Sequence, residues 1–264
     1  MLRPMRLLRP VSRVACYVLA LLCFGGCSTV QPPATQTSSP AGLNLPGPDV
    51  PLPGAGPFRR ADWFERLWNE RRAHFAARLQ QDRGAIVFLG DSITQGWGDD
   101  LGGSFADARV ANRGIGGDTS RGVLYRLAED VIAVQPRAVV LLIGTNDIEE
   151  GATPEVIRNN VALIISSLRQ AQPRLPIFLC EVFPSSERMR RPAATIRELN
   201  RLYAELAQKT DGVTLVPTYA VFADAKGDAK EAEFPDLLHP NDAGYAKWAG
   251  AVRPVLQQAG LLER

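Results

Sequence analysis

Cysteine is scarce where a folded domain would use it. Of the four cysteines, Cys16, Cys23 and Cys27 fall within the first 27 residues and only Cys180 lies further on, which excludes an intradomain disulfide framework and a cysteine-based metal site. Histidine is rarer still, with His74 and His239 the two in 264 residues, so imidazole chemistry has few places to reside. A membrane-spanning helix needs roughly 20 apolar residues, whereas the run Val14 to Phe24 offers 11. Neither sign of charge is in excess: 30 Lys+Arg face 28 Asp+Glu. Arg3, Arg6, Arg9 and Arg13 precede Cys27 and no acid does, so the remainder carries 26 against 28, a net −2 with no electrostatic case for nucleic acid. What is present is ordinary for a globular protein, 45% hydrophobic and 22% charged, enough to bury a core in one large or two small domains without metal or disulfide staples.

Four arginines followed by a short apolar run are the make-up of an export signal. The run ends in Gly25-Gly26-Cys27, which resembles a bacterial lipobox; the resemblance implies cleavage after residue 26 and lipidation of Cys27. In residues 28–57, 18 of 30 are Pro, Gly, Ser or Thr and only Asp49 is charged, a composition that cannot build a core of its own. The expectation is a semi-extended spacer of up to ~90 Å at about 3.1 Å per residue. Residues 1–26 then read as a signal peptide, 27–57 as a lipidated tether and 58–264 as one folded domain.

From Phe58 onward, short apolar runs alternate with helical periods, the pattern of an α/β protein with a mainly parallel sheet. Strands are expected at Ala85 to Leu89, Arg109 to Ala111, Ala138 to Ile143, Ile177 to Cys180 and Val213 to Val216, each continuous, as strands covered on both faces are. A first helix carries Phe64, Leu67, Trp68, Phe75 and Leu79 on one face. Others are expected at Val123 to Ala133, from Thr153-Pro154 onward, at Ala193 to Ala207 and at Asn241 to Leu256, with Pro254 kinking or fraying the last.

Polar motifs follow the first three strands directly: Gly90-Asp91-Ser92-Ile93-Thr94, Asn112-Arg113-Gly114-Ile115-Gly116-Gly117-Asp118 and Gly144-Thr145-Asn146-Asp147. Asp236-Leu237-Leu238-His239-Pro240-Asn241 precedes the last helix. Groups outside the carboxyl ends of parallel strands share one crevice, so four distant motifs can converge. Taken singly each has a plain reading: Ser92 as a helix cap, Asn146 as a turn residue, the glycines as a tight loop. Asp91, Asp118 and Asp147 read as cap and turn carboxylates. The run Arg188-Met189-Arg190-Arg191 reads as a solvated loop that could reach the crevice rim, His74 as a surface residue and Cys180 as core.

In order, the four motifs resemble the blocks of the SGNH (GDSL-type) esterase and lipase family over about residues 85–245, most closely the branch related to platelet-activating-factor acetylhydrolase catalytic subunits. The resemblance implies a flavodoxin-like three-layer αβα sandwich with a five-stranded parallel sheet. It maps the family's serine, glycine, asparagine, histidine and aspartate onto Ser92, Gly117, Asn146, His239 and Asp236. One departure is Leu237-Leu238, where relatives often carry a glycine.

The chemistry fits. A serine hydroxyl needs a base, and the base needs a third group to fix its tautomer. His239 is the candidate base, with Asp236 three residues before it. The backbone N–H groups of Ser92 and Gly117 and the side-chain amide of Asn146 are candidate donors to an oxyanion. The expectation is therefore a serine esterase without metal or organic cofactor that hydrolyses short acyl esters, acetyl first, with a glycan as a candidate alcohol. It would be lipid-anchored in the bacterial envelope, facing the periplasm or the surface. The competing expectations are a lysophospholipase or thioesterase with the same triad, and a non-catalytic glycan-binding lipoprotein. A decayed enzyme would have lost one of these positions, and this chain has lost none.

Overall fold

The computed structural model describes residues 42–263; Cys27, the leader and the first part of the expected tether lie outside them. Along the chain the elements are α1 (Asp62–Ala77), β1 (Ile86–Gly90), α2 (Ser92–Gln95), β2 (Val110–Gly114), α3 (Ser120–Asp130), β3 (Ala138–Leu142) and α4 (Thr145–Glu149). Then follow α5 (Pro154–Ala171), β4 (Ile177–Cys180), α6 (Ala193–Gln208), β5 (Val213–Val216), α7 (Tyr219–Phe222) and α8 (Asp242–Gln258).

The five strands are all parallel in the order β2-β1-β3-β4-β5, the flavodoxin-like order. Because successive side chains leave a strand on opposite faces, each buried run divides between two cores. Val87, Leu89, Val139, Leu141, Ile177 and Leu179 meet α3, α5 and α6. Ile86, Phe88, Val140, Leu142, Phe178 and Cys180 meet α8 and the aromatic cluster of Trp97, Phe105, Phe222, Phe234 and Trp248. Helix α1 adds a third cluster, with Phe64, Trp68 and Phe75 against Ile115.

The register pairs Gly90 with both Gly114 and Leu142, so β1, β2 and β3 end at one level. Helix α5 starts as its sequence indicates, with Thr153 Oγ1 accepting from the Val156 N–H and Pro154 in the first turn. Helix α8 does not stop at Pro254 but runs on to Gln258. Pro254 and Gly250 both face solvent, so the carbonyl that loses its helical donor is open to water.

The expected spacer also differs. Residues 42–57 lie against the domain: Pro46 is buried, and Leu45 packs on the α1 cluster. Their backbone groups are served by domain side chains. The Leu45 and Ala55 N–H groups donate to Asn69 Oδ1 and Asn160 Oδ1, at 2.8 and 3.0 Å, and Arg121 donates to the carbonyls of Leu52, Pro53 and Gly56. A Pro- and Gly-rich stretch cannot make a core but can lie on one whose polar side chains satisfy it.

Candidate active site

Ser92 opens α2 directly after β1, and Asn146 sits in the first turn of α4 after β3, on either side of the point where the strand order reverses. Open α/β sheets place ligand crevices at such switch points. His239 and Asp236 reach the same point on the loop before α8. Ser92 Oγ lies 2.9 Å from His239 Nε2, and His239 Nδ1 lies 2.6 Å from Asp236 Oδ2. Asp236 Oδ1 also accepts from the backbone N–H groups of Leu238 and His239, at 3.0 and 2.7 Å. Burial alone would raise this carboxyl, but those N–H groups and the imidazole outweigh it and hold it below its ordinary value. An ionised Asp236 requires Nδ1–H as donor, which leaves Nε2 free to accept the serine proton.

Leu237, between the two, has φ +63°, in the left-handed region that glycine favours. This is where the chain departs from the family's frequent glycine, and the backbone keeps that conformation with a leucine in it.

The cleft in front of Ser92 has a volume of about 290 Å³ and is bounded by Gly117, Asn146, Trp63, Met189 and Leu238, with Arg59, Glu149 and Arg191 also on its wall. Gly117 adopts φ +82°, which favours glycine, and a Cβ there would stand 2.6 Å from the Trp63 ring and 2.9 Å from the Arg59 guanidinium, so those side chains would also have to shift. At the end of β2, a Cβ on Gly114 would meet the backbone N of Gln95 at 2.2 Å, which lets the β2 loop lie directly on α2. Gln95 Oε1 in turn accepts from the Gly116 N–H at 2.6 Å. Asn146 is buried, and its Nδ2 donates to the Asp118 carbonyl at 2.9 Å. An amide nitrogen carries two hydrogens, so a second remains for the cleft that Asn146 lines.

The three aspartates of the motifs are all buried. Asp91 Oδ1 caps α2 by accepting from the Ile93 N–H at 2.9 Å, while its Oδ2 has no hydrogen-bond partner among the described residues. Burial pushes this carboxyl up to about 7, opposed by the Ile93 N–H. Asp147 accepts from the N–H and hydroxyl of Ser120, yet burial still pushes it up to about 6. Asp118 pairs with the fully buried Arg126 at 2.8 Å. Arg126 Nη2 also donates to the carbonyls of Gly90 and Arg113, tying the ends of β1 and β2 to the Gly117 loop.

Sequence reasoning missed Arg126, Gln95 and Arg59, and it misplaced Arg191. Arg188 and Arg190 are solvated as expected, but Arg191 is 2% exposed and its Nη2 donates to Asn146 Oδ1 at 3.1 Å. A run of arginines carries no signal that one of them turns inward. His74 is half exposed and pairs with Asp99 at 2.9 Å, away from the cleft.

A family model described as GDSL-like lipase/acylhydrolase matches residues 88–247. Platelet-activating factor acetylhydrolase IB subunit alpha2 from Homo sapiens is 26% identical over 198 residues, 72% of this chain and 84% of that protein. A GDSL-like lipase structure from Bacteroides thetaiotaomicron superposes with TM-score 0.62 at 26% identity, covering 72% of this chain and 97% of that one. A variant of an acetyl-xylooligosaccharide esterase from Geobacillus stearmophilus superposes with TM-score 0.54 at 26% identity, covering 67% and 95%.

Proposed function

The chain belongs to the GDSL-like lipase/acylhydrolase family, and we propose that it is a serine esterase releasing short acyl groups, acetyl first, from a hydrophilic alcohol such as a sugar. The observation that carries this reading is the hydrogen-bonded run from Ser92 through His239 to Asp236, opening into a cleft of about 290 Å³. Ser92 Oγ attacks the acyl carbon as His239 Nε2 takes its proton. The N–H groups of Ser92 and Gly117 and the free hydrogen of Asn146 Nδ2 receive the negative oxygen. His239 then gives its proton to the departing alcohol, and water, activated by the same imidazole, clears the acyl group from Ser92.

The cleft size supports a small acyl group, since small-molecule sites run to about 300–1,000 Å³. Trp63, Met189 and Leu238 give the cleft an apolar wall for the acyl group, and the partly exposed Arg59–Glu149 ion pair beside them offers polar contacts to a hydrophilic alcohol. Likeness to the Geobacillus acetyl-xylooligosaccharide esterase points the same way. The test is kcat/KM on nitrophenyl esters from two to twelve carbons, together with acetylated xylo-oligosaccharides. A maximum at two carbons is expected; one at eight or beyond rejects the short-acyl reading in favour of a lysophospholipase.

The proposal extends to location. The arginine-led apolar run ending in Gly25-Gly26-Cys27 supports a lipid-anchored protein of the bacterial envelope. Cys27→Ser should release the protein from the membrane fraction with kcat unchanged. Mature protein without N-terminal acyl chains would refute the anchor.

A further inference from the structure

Arg191 stands in the cleft wall yet is almost wholly buried, and each nitrogen of its guanidinium is engaged. Nε donates to the carbonyl and hydroxyl of Thr145, at 3.1 and 3.0 Å, and Nη1 to the Met189 carbonyl at 2.7 Å. Nη2 is shared between Asn146 Oδ1 at 3.1 Å and Glu149 Oε2 at 2.9 Å. Glu149 is in turn held by Arg59 at 3.0 Å, which arrives from the N-terminal side of α1. Removing a guanidinium from water costs several kcal/mol unless it is paired and fully hydrogen-bonded. The chain meets that cost next to one particular amide.

That amide is gripped at both ends. Asp118 takes one hydrogen of Nδ2 and Arg191 takes the oxygen, so the plane of the group and the direction of its remaining N–H are fixed before substrate arrives. A cation on the oxygen also draws electron density from the nitrogen, making that N–H a stronger donor. We propose that Arg191 is a positioning residue for the oxyanion hole, orienting and polarising Asn146 toward the tetrahedral intermediate. The inference rests on reading Asn146 as an oxyanion donor. Arg191 acts through that amide and takes no part in proton transfer. Its contribution appears as negative charge develops on the oxygen, so it belongs to kcat more than to KM.

The test is a double-mutant cycle on an acetyl ester, with Arg191→Met and Asn146→Ala singly and together, and thermal melts to establish folding. Arg191→Met should lower kcat by about 10- to 100-fold with KM moved less than threefold. In the Asn146→Ala background the same change should lower kcat less than threefold, because the group it acts on is gone. Equal losses in both backgrounds, or a loss confined to KM, would overturn the role of Arg191 and leave the esterase reading intact. An unchanged kcat in Asn146→Ala alone would instead remove Asn146 from the oxyanion hole and take this proposal with it. Should Arg191→Met fail to fold, Arg191→Lys keeps the charge but loses the fork. It should retain kcat between wild type and Asn146→Ala, and added guanidinium ion should not raise the kcat of the Arg191→Lys, Asn146→Ala double variant. A kcat for Arg191→Lys equal to wild type would overturn the proposal.

Discussion

Ser92 and His239 are separated by 147 residues of chain and by 2.9 Å of space. Nothing local makes that contact. It depends on β1 delivering the serine and on the loop before α8 delivering the imidazole to the same carboxyl end of the sheet. If the two act as one proton-transfer unit, Ser92→Ala and His239→Ala should each lower kcat by on the order of 10⁴-fold, and the double variant should be hardly worse than either. Steady-state rates on nitrophenyl acetate check this. Multiplying losses in folded protein would mean that the two do not share a step.

Gly117→Ala tests the close approach under the cleft. The added methyl would meet Trp63 and Arg59 at a φ of +82°. The expected outcome is a stability loss of about 1–3 kcal/mol with a fall in kcat/KM. Trimming Trp63 to Ala in the same background should recover part of the stability by removing the clash. Denaturant titration and initial rates read both, and full activity in Gly117→Ala would show that its backbone does not border the reacting group.

Asp91 predicts a pH dependence of stability. Its carboxyl sits at about 7 in the folded protein against an ordinary 3.8, because burial disfavours the charge and Oδ2 has no partner among the described residues. With the folded value raised, the stability contributed by the protonated form is fully present below the unfolded value and is lost as pH rises through about 7. Asp91→Asn keeps the Oδ1 cap and removes the titration. It should flatten the decline in stability between about pH 5 and 7 by up to about 1.4 kcal/mol per pH unit. Parallel curves for the two proteins in urea titrations at stepped pH would sink the assignment.

Arg126→Met should be the most destabilising of these changes, at about 3–5 kcal/mol, because it strands the buried carboxylate of Asp118. Adding Asp118→Asn removes that uncompensated charge and should return part of the loss. Urea midpoints for the single and double variants decide it. A double variant weaker than the sum of the singles would point to packing instead of charge.

How much of this was legible depended on what each residue had to satisfy. Strand β4 begins and ends where its apolar run does, since both faces are covered and nothing polar interrupts it; β5, at the edge of the sheet, keeps its expected bounds although Thr214 is polar and exposed. Strand β2 runs past its expected end at Ala111 to Gly114. Asn112 and Arg113 disguise it, being buried polar residues: Asn112 Nδ2 donates to the carbonyls of Thr94 and Gly98, and Arg113 donates to the Asp130 carbonyl and pairs with Asp82. The motif residues were readable because they cluster after strands. Arg191 and residues 42–57 were not, because their placement is decided by distant groups, namely Asn146 and Glu149 for one and Asn69, Asn160 and Arg121 for the other.

The knot of bonds around Arg126 bears on how the molecule opens. Its guanidinium holds the Gly90 carbonyl at the end of β1 and the Arg113 carbonyl near the end of β2 together with the carboxylate that precedes α3, so the turn bearing Ser92 and the loop bearing Gly117 cannot peel away singly without exposing a buried ion pair. Local unfolding of either should then cost nearly as much as unfolding of the whole. In native-state hydrogen exchange, the amides of Ile93 and Thr119 should exchange with the slowest class in the sheet, while those of the Lys226 to Asp228 turn exchange orders of magnitude sooner. The chemistry would thus be seated on the least yielding part of the protein, and any motion that admits substrate would have to come from the other wall, through Met189 and Leu238.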